Sequence, residues 1–246
     1  MKIAIVAITE EGKKVALKLQ RAFEGSEFFF ASEHHSLKSL VGEIFPRFEG
    51  IVFIMAMGIV IRMIGPHLRD KYTDPAVVVV DERGRYAISA LSGHEGGANR
   101  LAMEVASHLG AEPVITTASE TSRKILVGIG CRKGATKEEI VNAVDHALEK
   151  GGLSREAVRY LATIDFKRDE PGILQASLEL GIPLRTIPFE LIKRFQGPYQ
   201  KSSFVKGKIG VEGVSEPCAL LAGRRAALVV PKLKRGGVCV AIAKED

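Results

Sequence analysis

The stretch ILVGIGCRKGATKEE, residues 125–139, carries the clearest indication of fold class in this chain. It begins with an apolar run that is typical of a buried strand. A glycine-rich segment follows, and Thr136 with Glu139 has the spacing of a capping box, the reciprocal side-chain and backbone pairing that begins a helix. A strand, a glycine loop and a capped helix in this order form the repeating unit of an α/β protein.

The same alternation of apolar runs and helix-like segments continues along the rest of the chain. Residues 81–84, DERG, suit a tight turn between two strands, so those strands are expected to be antiparallel. The sequence therefore predicts an α/β fold made of two α/β domains, each a mixed or largely parallel sheet covered by helices. We predict strands at 2–8, 27–31, 50–57, 76–80, 86–90, 113–116, 125–129, 161–164, 184–187, 226–230 and 237–243, and helices at 10–23, 36–45, 97–109, 136–150, from 154, 172–180 and 215–222.

A polar, aperiodic stretch, TASETSRK at residues 117–124, separates two halves of different charge. Residues 1–118 hold 13 Lys and Arg against 14 Asp and Glu, whereas residues 119–246 hold 22 against 15, a net charge of +7. We therefore predict an N-terminal domain at 1–118, a linker at 119–124 and a basic C-terminal domain at 125–246. A basic domain favours an anionic partner. Nucleic acid is disfavoured, because the chain has no Trp and only 4 Tyr to stack on bases.

Composition excludes several protein classes. The longest apolar run, residues 51–61, ends at Arg62 and is far shorter than the roughly 20 residues that span a bilayer. The opening MKIAIVAIT lacks the features of a signal peptide, so we expect a cytoplasmic protein that does not enter a membrane. The 3 cysteines have no C-x-x-C spacing, which disfavours a disulfide framework or a zinc ribbon. His34 and His35 do not complete a metal-ligand set by spacing.

Two segments of the first half are candidate ligand sites. The run SGHEGGAN, residues 92–99, lies between a predicted strand and a predicted helix, where glycines and free helix N–H groups suit an anion. Beside them, His94 and Glu95 are candidate acid–base residues; a glycine-rich turn with a solvated histidine is the alternative. Gly58 follows the predicted strand at 50–57. It either lets the backbone approach a ligand closely or relieves crowding in the protein core. The candidate binding residues in this half are Gly58, Gly93, Gly96, Gly97 and Asn99.

The second half has three further candidate segments. Gly130, Cys131, Arg132 and Lys133 form a loop suited to binding an anion. A nucleophilic Cys131 is disfavoured, because no histidine lies near it in sequence to act as its base. In TIDFKRDEPG, residues 163–172, Asp165 and Lys167 are candidates to position a water or a substrate carboxylate, although a solvated, ion-paired loop with Asp169 or Glu170 capping the next helix is at least as good an interpretation. Ser215 and Glu216 begin a predicted helix, and N-capping alone would explain Ser215.

These motifs together resemble the CbiG family of cobalamin-biosynthesis proteins, the cobalt-precorrin-5A hydrolases. The N-terminal domain of the family is similar to MAMGIVIR, DKYTDPAVVVVDERGR, LSGHEGGANRLA and PVITTAS, and the C-terminal domain to VGIGCRKGAT, LATIDFKRDEPGI, SEPCALLAG and LVVPKLKRGGVCVAIA. The family usually carries a middle domain, and here only residues 117–124 join the two parts.

The resemblance implies hydrolysis in the anaerobic route to vitamin B12. The δ-lactone of cobalt-precorrin-5A would be opened by water and a two-carbon unit released as acetaldehyde, giving cobalt-precorrin-5B. Cobalt would arrive in the substrate, with no cofactor held by the protein. His94 and Glu95 would activate water, while Arg132, Lys133 and Lys167 would bind carboxylates of the anionic cobalt-tetrapyrrole, in a cleft between the domains.

Other cobalamin-pathway enzymes are the partner proteins that the resemblance suggests. A corrinoid-binding or delivery protein without hydrolase activity is the alternative. A nucleotide-binding protein is disfavoured, because neither phosphate-binding glycine fingerprint is present.

Overall fold

The structure is a computed structural model that describes the backbone of residues 1–246 and every side chain except those of Ser203, Phe204 and Lys208. The chain divides into two compact units, Met1–Thr117 and Ala118–Asp246. Each unit contains its own sheet, of six strands in the first and five in the second. The predicted α/β fold with two mixed sheets covered by helices is confirmed.

Unit 1 alternates strands and helices for most of its length. Its elements are β1 (Ile3–Ala7), α1 (Glu10–Ala22), β2 (Glu27–Phe30), α2 (Leu37–Ile44), β3 (Gly50–Ile54), α3 (Met57–Ile64), β4 (Ala76–Val80), β5 (Tyr86–Leu91), α4 (Ala98–Leu109) and β6 (Glu112–Val114). The strand order is β2-β1-β3-β4-β5-β6. The first four strands are parallel, β5 is antiparallel to β4 as the DERG turn predicted, and β6 is parallel to β5.

Helices cover both faces of the unit 1 sheet. Alternate strand residues point to opposite faces, so one face buries Ile5, Ile54 and Val78 against α1 and α4. The other face buries Val6, Phe53 and Val79 with the apolar side chains of α2 and α3. Strands buried on both faces explain the continuous apolar runs in the sequence.

Unit 2 is built around the strand that begins the stretch 125–139. Its elements are α5 (Ala118–Thr121), β7 (Ile125–Cys131), α6 (Lys137–Gly151), β8 (Val158–Ile164), α7 (Pro171–Leu180), β9 (Leu184–Ile187), α8 (Phe189–Arg194), α9 (Ser203–Ile209), α10 (Ser215–Leu221), β10 (Ala227–Arg235) and β11 (Val238–Lys244). The strand order is β10-β11-β7-β8-β9, with β7, β8 and β9 parallel and β11 antiparallel to β7. Thus β7 is the central strand.

The two faces of the unit 2 sheet are packed differently. Val127, Ile129 and Leu161 share a buried cluster with α6 and α7 on one face. On the other face α10 lies directly on β7: a Cβ added at Gly128 would stand 1.8 Å from the carbonyl oxygen of Ser215. Glycine is therefore required at 128 by close backbone packing.

Two local predictions are wrong. The helix expected from Ser154 is a single 3-10 turn, Arg155–Ala157, after which the chain enters β8. Val158, Tyr160 and Leu161 are buried in the sheet, and this tertiary burial overrides local helix preference. The stretch 117–124 is also not aperiodic throughout, because Ala118–Thr121 forms a short helix whose Glu120 is buried.

Candidate functional site

The carboxyl ends of β7, β8 and β9 meet at one edge of the unit 2 sheet, because these strands are parallel. The loop after β7 and the 3-10 turn after β8, Asp165–Lys167, both begin there. We call residues 130–134 and 165–167 the basic edge. The structure thus brings together six predicted site residues from two separate motifs: Gly130, Cys131, Arg132, Lys133, Asp165 and Lys167. Such an edge is where open α/β sheets bind ligands.

Glu170, which the sequence did not select as a site residue, holds the basic edge together. Its Oε1 accepts the backbone N–H of Gly134 at 2.7 Å, and its Oε2 accepts a hydrogen bond from Lys167 Nζ at 2.6 Å. The side chain is only 8% exposed, and the hydrogen bond from Lys167 lowers the pKa of the carboxyl group. Glu170 stands at the N-cap position of α7 but does not cap it with its side chain. The carboxylate instead ties the two loops to each other.

The three cations of the basic edge differ in how they are paired. Arg132 Nη2 lies 2.6 Å from Glu139 Oε1, and Glu139 also completes the predicted capping box with Thr136. Lys167 is paired with Glu170. Lys133 is exposed and forms no ion pair with any described side chain. Of the three, Lys133 is therefore the cation most available to an incoming carboxylate.

Cys131 is half-buried at the end of β7. Burial raises the pKa of its thiol, and the nearby Lys167 only partly opposes that effect. Since the thiolate is the reactive form of cysteine, the raised pKa agrees with the sequence argument against a nucleophilic role.

Asp165 connects the end of β8 to the start of α8. Its Oδ2 accepts the backbone N–H of Phe189 at 3.2 Å, whereas Oδ1 is buried and has no hydrogen-bond partner among the described groups. The next residue, Phe166, is 64% exposed, and its ring stacks on that of Phe189 with 5.1 Å between centroids. No motif of the sequence marks either aromatic residue as part of a site.

Ser215 and Glu216 lie inside unit 2, and each is only 2% exposed. The Glu216 carboxylate accepts the backbone N–H groups of Gln200 at 2.8 Å and Lys232 at 3.1 Å. It therefore fastens the chain before α9 and strand β10 to helix α10. The predicted N-cap role of Ser215 is wrong: Val214 is the N-cap and Ser215 is the first helical residue, with no side-chain capping bond.

In unit 1 the two candidate segments lie at opposite edges of the sheet. Gly58 follows β3, at the edge where the parallel strands end. The segment 92–97 follows β5, which is antiparallel to β4, so it lies where the parallel strands begin; Leu91 is paired with Val77 there. Gly58 and the glycine-rich segment therefore do not form one site.

The glycine-rich segment folds back on the start of α4. The backbone N–H groups of Ala98 and Asn99 donate to the carbonyls of Ser92 and Gly93, at 3.2 and 2.9 Å. These two donors at the helix start are thus occupied, which corrects the expectation that they are free for an anion. A Cβ added at Gly96 would lie 2.4 Å from Ser92 Cβ, so the turn needs glycine there.

The side chain of Asn99 is buried and forms hydrogen bonds to residues on both sides of this segment in the chain. Its Oδ1 accepts a hydrogen bond from Ser89 at 2.8 Å, and its Nδ2 donates to Thr117 Oγ1 at 2.9 Å. By contrast, His94 and Glu95 are exposed. Glu95 Oε1 lies 2.6 Å from Lys71 Nζ, and this hydrogen bond lowers the pKa of the Glu95 carboxyl group. The segment therefore presents an imidazole and an ionised carboxylate to solvent.

Metal-binding and membrane-spanning features were sought across the described part of the chain. No three His, Cys, Asp or Glu residues with described side chains come together in a way that could hold a metal ion. None of the described helices combines the length and the apolar character needed to cross a membrane.

Comparison with known proteins matches both parts of the chain to one family. Residues 39–120 match the cobalamin synthesis G N-terminal model, and residues 125–243 match the cobalamin synthesis G C-terminus model. The chain belongs to the CbiG family. Within that family it is 28% identical to the cobalt-precorrin-5A hydrolase of Priestia megaterium, covering 98% of this chain and 94% of the relative.

Two further similarities extend the comparison. This CbiG protein is 25% identical to the cobalt-precorrin-5A hydrolase of Salmonella typhimurium, over 81% of this chain and 83% of the relative. It is also similar to the crystal structure of CobE, a protein from the cobalamin biosynthetic pathway, with 28% identity, a TM-score of 0.47, and coverage of 50% of this chain and 91% of CobE.

The alignment to the Priestia relative is longer than this CbiG chain. It runs over 353 positions, and 353 minus 246 residues leaves at least 107 positions without a residue of this chain opposite them. The relative therefore contains additional sequence.

Proposed function

We propose that this CbiG protein is a cobalt-precorrin-5A hydrolase of anaerobic cobalamin biosynthesis. The observation that carries the proposal is the similarity to a curated hydrolase of that name along 98% of this chain. In the proposed reaction, water adds to the carbonyl carbon of the substrate's δ-lactone and the ring C–O bond breaks. The freed alcohol then loses its proton, and its C–O bond becomes the C=O bond of acetaldehyde as the neighbouring carbon–carbon bond breaks. The electron pair of that bond stays on the macrocycle, which gives cobalt-precorrin-5B.

The basic edge is the proposed binding place for substrate carboxylates. The substrate is an anionic cobalt-tetrapyrrole, and unit 2 carries a net charge of +7. Lys133 is exposed and has no ion pair with a described side chain, so it would gain a carboxylate partner without losing an internal one. Arg132 and Lys167 would keep the loops in shape through Glu139 and Glu170. Gly130 would not admit the substrate, because a Cβ built there lies 3.3 Å from Val214 Cβ.

The glycine-rich segment of unit 1 is the proposed acid–base site. His94 would take the proton from the attacking water, since an exposed imidazole is the side chain best suited to proton transfer near neutral pH. Glu95, held ionised by Lys71, would stabilise the imidazolium that forms. Backbone N–H groups at Gly93, Gly96 and Gly97 would serve the developing oxyanion, because those of Ala98 and Asn99 are occupied.

The source of the cobalt, the location of the protein and its partner proteins belong to the same proposal. The cobalt is that of the substrate, and the protein supplies no ligand or cofactor of its own. The protein works in the cytoplasm, and other enzymes of the cobalamin pathway supply and remove its intermediates.

The test is anaerobic incubation of the purified protein with cobalt-precorrin-5A. Acetaldehyde is measured with a trapping reagent, and the tetrapyrrole is followed by mass spectrometry. Acetaldehyde formed in step with the lighter, lactone-opened product would support the hydrolase. Tight binding of unchanged substrate would instead identify a corrinoid-binding or delivery protein.

Substitutions of His94 and Glu95 test whether these residues form the acid–base site. We expect His94→Gln to reduce kcat by about 100-fold or more, the usual contribution of general acid–base catalysis, and Glu95→Gln to reduce it less. His35→Gln is the matched control, because it removes an exposed imidazole from the opposite edge of the same sheet. Full turnover by both His94→Gln and Glu95→Gln would remove this segment from the mechanism.

A further inference from the structure

Phe166, in the basic edge, and the half-buried Phe189 form an aromatic pair. Phe166 is 64% exposed, although phenylalanine gains free energy when it leaves water. Its ring is stacked on that of Phe189, with 5.1 Å between centroids and 27° between planes. A single exposed apolar side chain is ordinary, but the ring of Phe166 is packed against a second ring, which restricts its motion while leaving it largely exposed.

The pair is fixed by the ends of two neighbouring strands. Phe166 follows β8 within a 3-10 turn, and Phe189 begins α8 after β9. The last residues of these strands, Ile164 and Ile187, are paired in the sheet. Asp165 then accepts the backbone N–H of Phe189 at 3.2 Å. The backbone that carries each ring is therefore fixed, which limits the entropy lost when a ligand packs against the rings.

Cations surround this apolar surface. Lys193 Nζ lies 5.8 Å from the centroid of the Phe189 ring, and Lys167 follows Phe166 directly in the chain. Lys133 is on the same edge of the sheet and is near enough to lower the pKa of Glu170. An apolar surface with cations beside it is complementary to a flat ligand that has apolar faces and carboxylates around its rim.

We propose that Phe166 and Phe189 form a stacking platform for the macrocycle of a polycarboxylate tetrapyrrole, while Lys133 and Lys193 bind carboxylates on its rim. The inference rests on the proposed function for the class of ligand. It adds the residues that bind the face of the ring, whereas the cations of the basic edge bind only the rim. Asp165 is a positioning residue in this proposal, since it holds Phe189 and does not touch the ligand.

The experiment uses the full-length protein and uroporphyrin, a flat porphyrin with carboxylates all around its rim. Binding is followed by the change in porphyrin fluorescence as the protein is added. We expect Phe166→Ala to bind uroporphyrin about tenfold more weakly than the unmodified protein, as loss of an aromatic stacking partner with its buried area predicts. Phe166→Tyr keeps the ring and should retain binding, whereas Phe166→Leu keeps only apolar bulk and should not.

Two variants control for the general removal of exposed apolar surface. Leu178 and Tyr72 are each 74% exposed, in unit 2 and unit 1 respectively, and Leu178→Ala and Tyr72→Ala should bind as the unmodified protein does. Equal binding by Phe166→Ala and Phe166→Tyr would overturn the platform, and so would a failure of the unmodified protein to bind uroporphyrin. Acetaldehyde release from cobalt-precorrin-5A judges the hydrolase separately, so the two proposals can fail independently.

Discussion

At the scale of single residues, Glu170 shows how an unselected side chain organises a site. Its buried carboxylate binds the Gly134 N–H and the Lys167 ammonium, and both bonds favour the ionised form. A group whose pKa is lowered by folding stabilises the native state above its unfolded pKa, and that contribution is lost as pH falls through the folded pKa. The contribution of Glu170 should therefore be complete at neutral pH and disappear in acid.

The variant Glu170→Gln tests this pH dependence. At about pH 7 we expect its free energy of unfolding to fall by about 1–3 kcal/mol, the usual effect of losing hydrogen bonds to a charged group. The difference from the unmodified protein should shrink below about pH 4, near the ordinary carboxyl pKa. Urea unfolding over this pH range measures it. Asp169→Asn, at the exposed neighbouring residue, should show no comparable loss, and a difference independent of pH would contradict the assignment.

Lys133 gives a functional prediction at the same scale. Because its ammonium has no ion pair with a described side chain, Lys133→Gln should leave folding stability within about 0.5 kcal/mol of the original, as surface substitutions usually do. Loss of one carboxylate contact should raise the KM for cobalt-precorrin-5A several-fold with little change in kcat. Steady-state kinetics would show this, with Lys150→Gln at the far end of α6 as the control. An unchanged KM would place the carboxylate contacts elsewhere.

At the scale of elements, the packing of α10 on β7 decides where the basic edge stands. The glycine at 128 allows the backbone of α10 to approach the central strand, where a side chain would occupy the same space. Glu216 then fixes α10 through backbone N–H groups on both sides. Glu216, which the sequence indicated as a substrate-binding residue, therefore helps to hold α10 against β7, the strand that ends at the basic edge.

The variant Gly128→Ala tests this contact. A methyl group there would lie 1.8 Å from the Ser215 carbonyl oxygen, so α10 must move. We expect a loss of about 3 kcal/mol or more, at the upper end of the overpacking range, measured by thermal or urea unfolding. Gly207→Ala is the matched control, since Gly207 lies in helix α9 with open space around its Cβ position. A fully stable Gly128→Ala would show that α10 is not packed as described.

At the scale of the whole molecule, each unit has a complete sheet and its own buried core. The sheet of unit 2 takes all its strands from residues 125–244, and its main apolar cluster is drawn from the same part of the chain. A domain with its own sheet and core is expected to fold alone.

The fragment 118–246 should therefore unfold cooperatively in urea and give a dispersed NMR spectrum. A fragment that starts at residue 133 lacks β7, the central strand, and should fail to fold. A fragment 118–246 with helical signal but no cooperative transition would show that unit 2 needs the rest of the chain.

The fold class and most of the helices and strands follow from local patterns in the amino-acid sequence. Apolar periodicity and the signals at helix ends are local, so β7, the capping box of α6 and the hairpin of β4 and β5 could be predicted from neighbouring residues alone. The loops of the basic edge were selected for the same reason, because glycines and cations after a strand are visible locally.

Which of these residues come together depends on how the strands are ordered and directed in the folded protein. Strand direction places Gly58 and the segment 92–97 at opposite edges of one sheet, and sheet order brings the loops after β7 and β8 to the same edge. Glu170, Glu216 and Asn99 each have a partner at least 16 positions away, such as Gly134 for Glu170. A hydrogen bond forms only where the donor and the acceptor are close in space, and the spacing of two residues along the sequence does not determine that distance.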